Sequence, residues 1–95
     1  MQLLVVGAGE MGRWFARHSG PDAVAFADRE PETARAAATT IESARAVPLD
    51  TDEAFDVVCV AVPMSAVPGA IAEHAHRATE AVVDVSGEMT DAVAP

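Results

Sequence analysis

Lysine and tyrosine are absent from this 95-residue chain, and cysteine occurs once. All six basic residues are arginines, set against fifteen acids, for a formal net charge of −9. A surface so negative repels polyanions, which argues against nucleic acid and anionic membranes as partners. Cys59 has no second cysteine to pair with, so an internal disulfide is excluded, and its apolar neighbours mark it as a small core residue. Aromatic residues are scarce: Trp14, Phe15, Phe26 and Phe55. No apolar run approaches the roughly 18 residues of a membrane span. The stretch Leu3–Val6 is short and lacks a preceding basic segment, so no signal peptide is read and the expected location is the cytoplasm. Acid excess without lysine also matches proteins of salt-loving organisms, where a screening length of about 3 Å nearly abolishes self-repulsion.

What is present is small and apolar. Half of the residues are hydrophobic, chiefly Ala and Val, which suits strands buried between closely packed helices. The length fits a single domain. Continuous apolar runs predict strands at Leu3–Val6, Ala23–Ala27, Asp56–Val62 and Ala81–Val85, with a weaker one at Ala44–Val47. Between them the sequence predicts helices from about Met11 to Ser19, from Pro31 to about Thr39, and from Ala66 to about Arg77. The last of these is capped by Ser65, and a helical turn is expected at Asp50–Ala54. Such alternation implies an α/β fold: a Rossmann-type doubly wound parallel sheet in strand order 3-2-1-4-5, helices on both faces, and a ligand crevice between strands 1 and 4.

Gly7-Ala8-Gly9-Glu10-Met11-Gly12 follows the first strand and opens the first helix. In that setting G-x-G-x-x-G is the dinucleotide fingerprint. The first glycine allows the sharp turn, the second leaves room for a pyrophosphate, and the third lets helix and strand approach. Asp28 ends the second strand 21 positions after Gly7, where a carboxylate can accept bonds from the adenosine-ribose hydroxyls and repel a 2′-phosphate. That favours NAD. Arg29 beside it keeps NADP open, since an arginine there can hold the extra phosphate. Val62, Pro63 and Ser65 follow the fourth strand on the path of the cofactor, Ser65 serving either as a contact or as a helix cap. Ser86 follows the fifth, near the expected nicotinamide position.

The segments Gly7–Ala16, Val60–Pro63 and Val82–Ser86, in this order and spacing, resemble the N-terminal domain of prephenate dehydrogenases. The resemblance implies an oxidoreductase that removes a hydride and carbon dioxide from prephenate to give 4-hydroxyphenylpyruvate, on the route to tyrosine. It also implies a catalytic histidine beyond the fifth strand and a C-terminal substrate domain, neither of them within these residues. The chain departs from the family at Gly87 and Met89, where a serine and a lysine are usual. Pyrroline-5-carboxylate reductases and 3-hydroxyisobutyrate dehydrogenases carry similar motifs and are the alternatives, together with a stand-alone nucleotide-binding module. No catalytic residue is assigned within the chain. A domain parted from its substrate half would expose apolar surface and could form a homo-oligomer.

The remaining polar residues read as structural. His74 and His76 stand two apart on a helix and read as a solvated end, not a metal pair. His18 is placed to pack on Trp14, one turn away. Met11, Trp14 and Phe15 read as the face of the first helix that packs on the sheet. Asp50, Asp52, Glu53 and Asp56 lack histidine support and read as solvated surface.

Overall fold

Strands β1 (Gln2–Val6) and β2 (Ala23–Ala27) are apolar along nearly their whole length and can persist only between two covering layers. The computed structural model, which describes residues 1–85, supplies both. With β3 (Ala44–Ala46), β4 (Phe55–Val60) and β5 (Ala78–Asp84) they form one parallel sheet in the order β3-β2-β1-β4-β5, the order the alternation predicts. Val5 lies level with Phe26 on one side and Cys59 on the other. Helices α1 (Glu10–His18) and α2 (Pro31–Ala38) follow β1 and β2, and α3 (Val67–His74) follows β4.

Side chains alternate across the sheet, so each strand feeds two cores. Leu3, Val5, Val24, Phe26 and Cys59 face the layer built by α1 and α2, where Ala16, Ala34 and Ala37 are buried. Leu4, Val6, Ala25, Ala27, Val58 and Val60 face the opposite layer, where Val67, Ala70 and Ile71 of α3 pack. Alanine at the helix contacts lets the helices sit close, which is how so few aromatics suffice. Cys59 is fully buried, and desolvation pushes its thiol up to about 12, in keeping with a core role.

Several boundaries differ from the pattern-based ones. The strand expected at Asp56–Val62 starts at Phe55 and ends at Val60, so Ala61 and Val62 leave the sheet. No helical turn forms at Asp50–Ala54; Thr51 is buried there, its hydroxyl accepts the Glu53 N–H at 3.3 Å, and its carbonyl accepts from Arg77 at 2.6 Å. These bonds, one local and one from 26 residues away, use backbone groups that a helix would need. The helix expected from Ala66 to Arg77 is three pieces, with 3₁₀ turns at Met64–Ala66 and Ala75–Arg77 flanking α3. Ser65 sits within the first of these and caps neither it nor α3. The strand that follows begins at Ala78, earlier than expected. Trp14 is 45% exposed and does not face the sheet; Met11 and Phe15 do. As expected, His18 stacks on Trp14, ring centroids 4.6 Å apart.

Gly12 is where α1 meets the sheet. A Cβ there would fall 2.3 Å from the Gly7 carbonyl oxygen and 2.7 Å from Val5 Cγ1, so backbone would have to shift. Gly12→Ala is expected to lower stability by about 1–3 kcal/mol, the usual range for overpacking, measured by urea unfolding.

Candidate functional site

The crevice forms where β1 and β4 lie side by side while their connections diverge. At its centre Gly7 turns the chain out of β1 with φ of +100°, donating its N–H to the Ala27 carbonyl at 2.8 Å. A Cβ at Gly7 would lie 2.3 Å from the Ala61 carbonyl oxygen, so the turn presses directly on the end of β4. Ala8 is buried beneath the turn. Gly9 is different: it is exposed, and a Cβ there would meet nothing within 4 Å. The space beside Gly9 is a cradle that a side chain would fill.

α1 opens at this cradle. Its ladder begins with the Arg13 N–H donating to the Gly9 carbonyl at 3.1 Å, and no side chain caps it. The amides of Glu10, Met11 and Gly12 therefore precede the ladder, as in the first turn of any helix. Oriented N–H groups and the positive end of the helix dipole favour an anion here. Glu10 and Met11 contribute through the backbone, so their side-chain chemistry is incidental to that capacity.

Asp28 reaches into the same turn. Its Oδ2 accepts the Ala8 N–H at 2.8 Å and its Oδ1 accepts the Glu30 N–H at 2.8 Å. The carboxylate thus braces the glycine turn against the start of α2. It is half-buried, and an ionised carboxylate has roughly four acceptor sites, so capacity remains for donors from a ligand. Sequence reasoning anticipated its place but not this bracing role.

A cleft of about 780 Å³ spreads from the turn, lined by Gly7, Gly9, Asp28, Arg29, Val62, Pro63 and Ser65. A smaller recess of about 340 Å³ adjoins it, bounded by Gly9, Glu10, Met11, Val62 and Pro63, with Met64. The structure thus gathers the sequence-marked residues on one continuous surface, with Ala8 and Gly12 buried behind it; Ser86 lies outside the described residues. Both volumes lie in the range of small-molecule sites.

The cleft also takes in residues that sequence reasoning missed: Leu49, Gly69, Ala70, Glu73 and His74. Ala66, Ala70 and His74 recur every four residues, which puts them on one helix face and was the available signal. His74 was expected to be solvated but is 3% exposed, and Arg77 is buried beside it. The helix shortens to end at His74, and the 3₁₀ turn folds Arg77 back onto it: Arg77 Nη1 lies 2.8 Å from His74 Nδ1 and 3.1 Å from the Glu73 carbonyl. Burial lowers the His74 pKa; Glu73 opposes this, while Arg77 and His76 add to it. Elsewhere, Glu53 of the acidic cluster is paired with Arg45 at 2.6 Å, Asp56 accepts the Gln2 N–H at 2.6 Å, and no metal-binding group of side chains occurs among the described residues.

Residues 2–88 match the family model described as NADP oxidoreductase, coenzyme F420-dependent. The chain belongs to this family. It is accordingly an NAD(P)-binding domain of the oxidoreductase class, and its sheet is that of a Rossmann-like fold. Comparison with curated proteins gave no match. Among the described residues no helix is long and apolar enough to cross a membrane.

The lowered His74 pKa makes a prediction about stability. The unfolded chain takes up a proton at His74 near pH 6.5, while the folded chain resists it until lower pH. This contribution is complete above the unfolded value and is lost as pH falls through the folded one. Wild type is expected to lose more stability between pH 7 and 5 than His74→Gln, measured by urea unfolding at each pH.

Proposed function

We propose that this chain is the NAD-binding domain of an oxidoreductase resembling prephenate dehydrogenase. The observation that carries the cofactor reading is the open space at Gly9 beside the uncapped start of α1, with Asp28 on the same cleft. In this reading the amides of Gly9, Glu10 and Met11 hold the pyrophosphate. Asp28 accepts from the ribose hydroxyls, and Arg29 flanks it. Val62, Pro63 and Ser65 border the path toward the nicotinamide, and Ser86 is the proposed contact beyond them in sequence. Bound there, the nicotinamide supplies the hydride acceptor; the chain's own residues bind and orient it.

Charge supports NAD over NADP. The cleft is lined by Asp28, Glu30 and Glu73 against Arg29 alone, so an added 2′-phosphate meets a negative surface. The alternative, an NADP-using imine reductase of the pyrroline-5-carboxylate type, is favoured by the family description and by Arg29 next to Asp28. The segments at Gly7–Ala16, Val60–Pro63 and Val82–Ser86 support prephenate as the substrate. Groups that act on that substrate are proposed to lie in a further domain: His18 stacks on Trp14 away from the cleft, and His74 is bonded to Arg77.

Calorimetry with each nicotinamide cofactor tests this. NAD should bind at least about tenfold more tightly than NADP, a difference of about 1.4 kcal/mol. Gly9→Ala should abolish binding while changing stability by less than about 0.5 kcal/mol, because its Cβ meets no protein atom. Asp28→Ala should weaken NAD by about 1–3 kcal/mol. No heat from any of the cofactors on folded protein would refute the reading, and tighter NADP binding would favour the imine reductase. The chain alone should not turn over prephenate; turnover would place the catalytic groups within it.

A further inference from the structure

His74 is not accounted for by the contacts assigned so far. It is the last residue of α3, it is 97% buried by the complement of its 3% exposure, and it lines the cleft at the end remote from Gly9. Its Nδ1 lies 2.8 Å from Arg77 Nη1. A guanidinium has only donors, so Nδ1 must be the acceptor of that bond. In the neutral ring the proton is then on Nε2. Arg77 is fixed in turn by the Thr51 carbonyl at 2.6 Å and the Glu73 carbonyl at 3.1 Å, so the ring is held from behind.

The Nε2–H has no comparable partner. Its nearest charged neighbour is Glu73 Oε2 at 3.7 Å, beyond hydrogen-bond range, on a side chain that is mostly exposed. Yet no fully buried side-chain nitrogen or oxygen among the described residues lacks a hydrogen bond. Nε2 is therefore not fully buried, although the residue as a whole is 3% exposed. The same cleft is lined by the apolar Leu49 after β3, by Gly69 and Ala70 of α3, and by Glu73. A Cβ at Gly69 would meet nothing within 4 Å, so the cleft is open there. A fixed donor beside apolar walls in an open cleft fits a flat heteroaromatic ring with acceptor nitrogens.

We propose that the His74 Nε2–H reads the purine of the dinucleotide by donating to one of its ring nitrogens, with Arg77 as the positioning residue that fixes the tautomer. The assignment rests on the dinucleotide reading above. It makes α3, and not only the glycine turn, a determinant of which nucleotide the chain accepts.

The test is a pair of measurements on the full chain. Imidazole ¹H–¹⁵N correlation spectra should show His74 as the Nε2–H tautomer, with its resonances moving on saturation with ADP-ribose or NAD. By calorimetry, His74→Leu and His74→Gln should each weaken ADP-ribose and NAD about 3- to 10-fold, the range expected for one hydrogen bond in a binding site. The His74→Gln variant keeps a polar partner for Arg77, which guards against misfolding as the cause; both variants should keep the wild-type far-ultraviolet dichroism. An Nδ1–H tautomer, or unmoved His74 resonances while NAD binds, would overturn the proposal. So would undiminished affinity in His74→Gln. Failure of wild type to bind NAD at all would instead refute the dinucleotide reading beneath it.

Discussion

The site depends on how closely the glycine turn lies against the end of β4. Gly7 presses on the Ala61 carbonyl and Gly12 presses on the Gly7 carbonyl, both within distances that any side chain would forbid. Because the turn packs this tightly, α1 starts over the crevice between β1 and β4 and not beside it. The helix dipole and the first-turn amides are then aimed at the one place where the sheet opens. Asp28 completes the arrangement by tying Ala8 to Glu30, so that the loops after β1 and β2 hold a common geometry.

Contrast among the glycines separates packing from binding. Gly7 and Gly12 are required by protein atoms, whereas Gly9 is required by nothing in the protein. The open space at Gly9, next to the uncapped start of α1, is the ground of the proposed binding reading. That reasoning agrees with the family match over residues 2–88, and it is independent of it. It says nothing of the substrate, whose proposed identity rests on sequence resemblance alone.

Much of this was legible in the sequence. Buried parallel strands read as unbroken apolar runs, and the glycine spacing located the turn, so the strand order and the Gly7–Gly12 turn followed from local patterns. Three things were not legible, because each depends on which contacts form in three dimensions. Thr51 is held by Arg77, 26 residues on, which removes the local signal for a helical turn at 50–54. Trp14 lies on the helical period of Met11 and Phe15 but stacks on His18 at the surface, a choice periodicity cannot make. His74 resembled a solvated helix end because its burial depends on Arg77 folding back through a 3₁₀ turn. The polar part of the cleft was visible early, and its far wall only in three dimensions.

The central claim is that the amides opening α1 receive the pyrophosphate of a nicotinamide dinucleotide. The most direct measurement is a backbone amide ¹H–¹⁵N titration of the chain with NAD. The account predicts the largest shifts at Gly9, Glu10 and Met11, saturating together, with the exposed far end of α1 at Arg17 and Ser19 unmoved. Saturable NAD binding that leaves those three amides in place would contradict it.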